Sequence, residues 1–182
     1  MQRLLLSFLF LLAVSAASAQ KLKPVDEASK VHFVIKNFGI GTGGDLSGLT
    51  GEINFVSANV PASTFDVSVN VNTIDTDNEM RDKDLKKSSY FDAEKYPLIT
   101  IKSTKINRTN KSSSGWYQFN GTLTMHGVTK PIAFLFQQTK KSDGYLFVGG
   151  FIINRMDYGV GKSSSVLSNN VNISLSVLAK KG

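Results

Sequence analysis

Residues 117–136 read YQFNGTLTMHGVTKPIAFLF, and the fold is decided there. Tyr117, Phe119, Gly121, Leu123 and Met125 alternate with Gln118, Asn120, Thr122 and Thr124. After His126-Gly127 the alternation resumes at Ile132, Phe134 and Phe136. A period of two sends successive side chains to opposite faces of a strand, so each run predicts a strand with one apolar face. Between them His126-Gly127 supplies a glycine that accepts the positive φ of a tight turn, so the two strands form a hairpin.

The same pattern extends in both directions. Upstream it marks Val31, Phe33 and Ile35, then Leu49, Gly51, Ile53 and Phe55, then Phe65, Val67, Val69 and Val71, then Ile99 and Ile101. Downstream it marks Tyr145, Phe147, Gly149, Phe151 and Ile153, and last Val171, Ile173, Leu175 and Val177. Asp143-Gly144 predicts another hairpin turn with glycine at positive φ. The sum is eight strands in antiparallel succession, an all-β chain. One helical insertion interrupts them around residues 77–88, where Thr76-Asp77-Asn78-Glu79 reads as a capping box. The polar, Ser-rich stretch from Asn107 to Gly115 reads as an exposed hairpin loop.

Eight half-apolar strands hide one face either in a sandwich or in a closed barrel, and closure also removes exposed edges. An eight-stranded barrel fills with its own side chains or holds one small ligand. The predicted lumen wall is Phe33, Ile35, Phe55, Phe65, Val67, Val69, Ile99, Ile101, Phe119, Leu123, Phe134, Phe136, Phe147, Phe151, Ile173 and Leu175. Gly51, Gly121 and Gly149 fall on the same face. They leave space for an apolar guest, or they relieve strand curvature, and the pattern fits both.

At the start of the chain, Arg3 precedes a largely apolar run from Leu4 to Val14 and the small residues Ala17-Ser18-Ala19. These are the parts of a secretory signal peptide, with cleavage expected after Ala19 and a periplasmic or secreted destination. Of the 182 residues, 163 follow that point, the size of one domain (20–182). There is no cysteine, which excludes disulfides, thiol nucleophiles and thiolate metal sites. Beyond Arg3, 20 basic residues stand against 14 acidic ones. The lysines are scattered rather than clustered with aromatics, which argues against nucleic acid and leaves an anionic membrane as a possible peripheral contact. The oligomeric expectation is a monomer or homodimer.

Catalytic chemistry is hard to assemble from this sequence. The two histidines, His32 and His126, fall on a strand face and in a turn, and a lone turn histidine cannot supply both a base and its orienter. Asp75 to Glu79 opens like a calcium loop but has Met80 where glycine is needed and Lys86 where glutamate is needed. Gly39 to Gly44 satisfies a dinucleotide-type glycine pattern, yet strand and turn residues follow instead of a helix. No catalytic residue, metal or cofactor is expected.

Three motifs carry a family resemblance. They are Asn72 to Leu85 (NTIDTDNEMRDKDL) followed by Tyr90 to Pro97 (YFDAEKYP), then Gly121 to Ile132 (GTLTMHGVTKPI), then Asn154 to Gly159 (NRMDYG). In this order the chain resembles the YceI-like, or polyisoprenoid-binding, family over about residues 24–178. The resemblance implies a lipocalin-like barrel, exported to the periplasm, that carries a long isoprenoid or similar amphiphile, such as an isoprenoid quinone or polyprenyl lipid, for storage, transport or envelope stress protection. It implies a binding protein and not an enzyme. Where members commonly carry histidine, this chain has Asn37 and Asp84, which bears on the head group. Arg81 and Arg155 are the candidates for the barrel mouth, where a guanidinium meets a phosphate or quinone oxygen. The competing role for both is an ion pair with Asp82, Asp92 or Asp157. The competing function for the whole chain is a cavity-free β-sandwich interaction module with no small-molecule ligand.

Overall fold

A computed structural model describes residues 21–109 and 115–182. The expected signal peptide and the middle of the Ser-rich loop lie outside the described residues. The strands are β1 (Lys21–Pro24), β2 (Lys30–Asn37), β3 (Ile40–Leu46), β4 (Thr50–Asn54), β5 (Thr64–Asn70), β6 (Leu98–Arg108), β7 (Trp116–Met125), β8 (Val128–Lys140), β9 (Gly144–Asn154) and β10 (Leu167–Lys181). The single α-helix, α1, covers Glu79–Leu85.

These ten strands fill eight positions around a closed antiparallel barrel. β1 and β2 lie end to end along β10, with Leu22 opposite Lys181 and Phe33 opposite Ile173. β3 and β4 follow the same plan on their outer side, pairing β2 and β1. The break between β3 and β4 is pinned by Asp26, whose carboxylate accepts the amides of Gly48 and Leu49 at 2.9 and 2.7 Å. β1 closes the ring by pairing both β4 and β10, so the sandwich alternative is overturned. Two strands escaped the periodicity. β1 offers a single apolar residue, Leu22, and β3 (IGTGGDL) has glycine on both faces.

Local chemistry follows expectation at one place and departs from it at two. At the β7–β8 turn His126 and Gly127 both have positive φ, 51° and 74°, the glycine's as read from the sequence. Gly144 does not; it opens β9, and a Cβ there would lie 1.9 Å from the carbonyl oxygen of Ala179. The glycine is required by close approach of β10, while Lys141 to Asp143 make the turn. At α1 the N-cap is Asn78, not Thr76. The Asp75 carboxylate captures the Asp77 amide at 3.0 Å and turns the chain through φ 57° at Asp77, so the helix starts two residues later. Thr76 is buried and uses its hydroxyl to hold Asp82 and Arg81.

Two core clusters divide the barrel along its axis. At the lower end, Leu22, Ile53, Ile106, Phe119 and Ala179 are almost fully buried. At the upper end, Leu123, Met125, Ile153, Tyr158, Val160 and Val171 form the second cluster, against Tyr90 and Phe91 from the insertion.

Candidate functional site

The lower end is plugged. Phe55 sits edge-on to Tyr117, Tyr145 and Phe147 at ring separations of 5.2, 5.4 and 5.5 Å. Phe65 meets Phe136 and Phe147 in the same way. Edge-to-face rings fill space densely and add to the burial energy, so this floor is closed by packing.

Above the floor the barrel is hollow. A cavity of about 550 Å³ runs up to the rim, within the range of small-molecule sites. Every residue of the predicted wall fronts it except Phe55, which lies in the plug below. Of the three inward glycines only Gly149 fronts the cavity. A Cβ at Gly51 or Gly121 would lie 2.1 or 2.2 Å from the carbonyl of Asp66 or Lys102, so these two glycines permit strand contact instead. Phe119, Phe134 and Phe151 stack across β7, β8 and β9 at 4.8 Å spacing and form one side of the wall.

The rim is the polar part. Asn37, Thr42, Thr76, Asn78, Arg81 and Asp84 front the cavity there, beside Met80 and Leu85 of α1 and Tyr90 and Phe91. Both positions where the resemblance expects histidine, Asn37 and Asp84, thus face the cavity. Arg81 donates from Nε to the Thr76 hydroxyl at 2.8 Å and from Nη2 to the Thr76 carbonyl. Its Nη1 has no protein partner among the described residues. Arg155 also fronts the cavity but is only 4 % exposed; it donates to the carbonyls of Ser168, Val160 and Lys162 at 3.0, 2.8 and 2.8 Å and to Asn169 Oδ1 at 3.3 Å. It clamps the loop between β9 and β10. Neither arginine makes an ion pair with Asp82, Asp92 or Asp157 among the described residues.

His126 stands apart from this site, whereas His32 is among the residues that front the cavity. The His126 Nδ1 lies 3.0 Å from the Tyr158 carbonyl, which requires that nitrogen to carry the proton. His32 pairs with Asp45 at 2.6 Å, alongside Lys30. Tyr158 is buried in the upper core, and burial, with the nearby Asp157 charge, raises its phenol above the ordinary range. Among the described residues no group of three histidines or carboxylates is placed to hold a metal ion.

Periodicity missed the part of the wall contributed by non-strand segments. Met80, Leu85, Tyr90, Phe91 and Val160 come from α1 and from loops, where no period of two marks them. The available signal was the apolar pair Tyr90-Phe91 inside a polar insertion.

Comparison with known proteins agrees with this architecture. A UPF0312 protein of Pseudomonas aeruginosa is 28% identical over 178 residues, covering 94% of this chain and 91% of its own. The crystal structure of Burkholderia cenocepacia BcnA superposes with a TM-score of 0.78 at 22% identity, covering 85% of this chain and 98% of that one. A Campylobacter jejuni YceI protein gives a TM-score of 0.68 at 25% identity, covering 76% and 84%. A polyisoprenoid binding domain from Saccharophagus degradans, implicated in plant cell wall breakdown, gives 0.70 at 15% identity, covering 88% and 98%. The profile of the YceI-like domain matches residues 22–179, nearly all of the described barrel, and the chain belongs to that family.

Proposed function

We propose that this protein is an exported, non-catalytic carrier that holds the chain of a long isoprenoid or similar amphiphile inside its barrel. The observation that carries this reading is the apolar cavity of about 550 Å³ between the aromatic floor and the polar rim. At about 30 Å³ per water-sized group it takes roughly 15 to 20 carbon-sized groups. Burying 15 carbons at about 0.8 kcal/mol each gives on the order of 12 kcal/mol before ordering costs, enough for tight binding. The name of the Saccharophagus domain supports the same ligand class. The residues at the start of the chain support export.

Arg81 is the residue we assign to the head group, since its Nη1 is unpartnered at the rim. Arg155 spends its donors on the loop and holds the wall in shape. A peripheral contact with an anionic membrane is supported by the closed end. Lys21, Lys23, Lys140, Lys141, Lys180 and Lys181 gather there, and Lys23 lies directly opposite Lys180 across two strands. Glu52 and Asp143 offset only part of that charge, pairing Lys21 and Lys180 at 3.2 and 3.0 Å.

Native mass spectrometry of protein isolated gently from the envelope, followed by lipid extraction, tests the proposal. A co-purifying polyprenyl or quinone lipid is the expected result. An empty barrel that also fails to bind added polyprenols would refute it. Arg81→Gln is expected to weaken binding of a polyprenyl phosphate by about tenfold, the scale of one charge-assisted hydrogen bond, and of the free hydrocarbon not at all.

A further inference from the structure

The barrel wall has a window in its main-chain ladder, filled by side chains. The β8–β9 ladder runs from Lys140 opposite Tyr145 up to Phe136 opposite Gly149 and stops there. Above that pair, residues 128–135 of β8 are bonded along one edge only, to β7, and residues 150–154 of β9 along one edge only, to β10. The opening is bounded at the top by the hydrogen bond from His126 Nδ1 to the Tyr158 carbonyl. Five residues of β9 at about 3.3 Å each give it a height of roughly 16 Å.

The sequence treats this stretch as an edge. Pro131, which has no amide to donate, sits in the unpaired part of β8, and proline within sheets is confined to edges. Lys130 shares the inward register of Ile132 and Phe134 yet is exposed, and an inward-pointing charge is a device that protects an edge from pairing. Extending the register places Phe134 opposite Phe151, and their rings stack at 4.8 Å where hydrogen bonds would otherwise close the wall. Both rings front the cavity and both remain partly exposed. Just outside lies Ile152, 64 % exposed.

We propose that the window is a gated tail port: an apolar chain too long for the cavity parts the stacked rings of Phe134 and Phe151, passes out between them and lies against the outer surface of β9 at Ile152. This rests on the lipid-carrier reading given above. The head group occupies the rim at Arg81, the floor is blocked by the Phe55 cluster, and the cavity takes only about 15 to 20 carbons. A longer polyprenyl chain therefore needs another exit, and among the described residues the unpaired stretch of wall supplies one. The port makes the barrel tolerant of chain length.

The absence of cysteine makes the test clean. Ala133 and Ile152 are opposite each other in the extended register, both exposed, so A133C/I152C joined by a short bis-maleimide bridges the window without demanding disulfide geometry. The probes are farnesol, which fits the cavity, and solanesol, roughly three times as long. Bridging is expected to leave farnesol affinity within about twofold and to weaken solanesol about tenfold or more, a change carried by lost apolar contact. The unbridged double variant should bind both like the parent. In the single variant A133C, bound solanesol should protect the thiol from a water-soluble maleimide and farnesol should not. Equal affinities for solanesol before and after bridging, or equal losses for both alcohols, would overturn the port. Failure of the unmodified protein to bind either alcohol would instead overturn the carrier reading on which the port depends.

Discussion

Replacing Arg155 by methionine isolates what a buried guanidinium does in this barrel. Methionine keeps most of the side-chain volume and removes every donor. The change strands the carbonyls of Ser168, Val160 and Lys162 in a site where the arginine itself is 4 % exposed. A buried polar group stripped of its partner costs about 1–3 kcal/mol; the Val160 carbonyl is buried and loses that in full, while the part-buried Ser168 and Lys162 carbonyls lose less, so the expected loss is about 2–4 kcal/mol. For a chain of this size that lowers the melting temperature by roughly 5–15 °C. Urea titration should show a lower midpoint. Hydrogen exchange should show that the added opening is concentrated between Val160 and Asn169. Arg155→Lys should recover less than half of the loss, because an ammonium cannot reproduce the planar fork that reaches three carbonyls together. A melting temperature within about 2 °C of the parent, with unchanged exchange in the loop, would refute the clamp. In that case a head-group role for Arg155 would return, tested by comparing anionic and plain ligands.

Phe55→Ala removes the centre of the aromatic floor; we expect about 3–5 kcal/mol of destabilisation in thermal melts and a cavity that accepts longer chains without using the wall. Gly144→Ala places a methyl group against the Ala179 carbonyl, 1.9 Å from an ideal Cβ, and should cost about 1–3 kcal/mol through displacement of β10, read as a lower urea midpoint with an unchanged slope. Tyr158 titrates above its ordinary range because burial, and then the Asp157 charge, disfavour the phenolate. The unfolded chain therefore loses this proton first, so stability is full below the ordinary phenol range and falls as pH rises through the folded value. Tyr158→Phe should flatten that alkaline decline, and an unchanged slope between about pH 9 and 11 would show that another group is responsible.

The all-β class and the wall of the cavity were legible because they depend on a local rule. Alternation along 117–136 forces one apolar face wherever the strand lies, and Phe119, Phe134 and Phe151 face inward for that reason alone. The His126-Gly127 turn was legible for a similar reason, since two positive φ values are a property of the turn itself. What pairs with what is not local. The splitting of the first two barrel positions into β1 with β2 and β3 with β4 depends on Asp26 reaching the amides of Gly48 and Leu49 from a distant part of the chain. Gly144 looked like a turn glycine, and only the position of β10 shows that it makes room for a carbonyl. Arg155 fronts the cavity, but its donors go to the carbonyls of a loop whose path no short-range pattern specifies. The extent of filling was likewise decided in three dimensions. Inward aromatic rings fit a solid core and a hollow one equally well, and the tertiary packing gathers them into a floor around Phe55 and leaves the space above it open. By itself the sequence determined which side chains point inward, because that follows from the period of a strand. Whether they meet was left to closure of the barrel, because contact across the lumen depends on strand tilt and register.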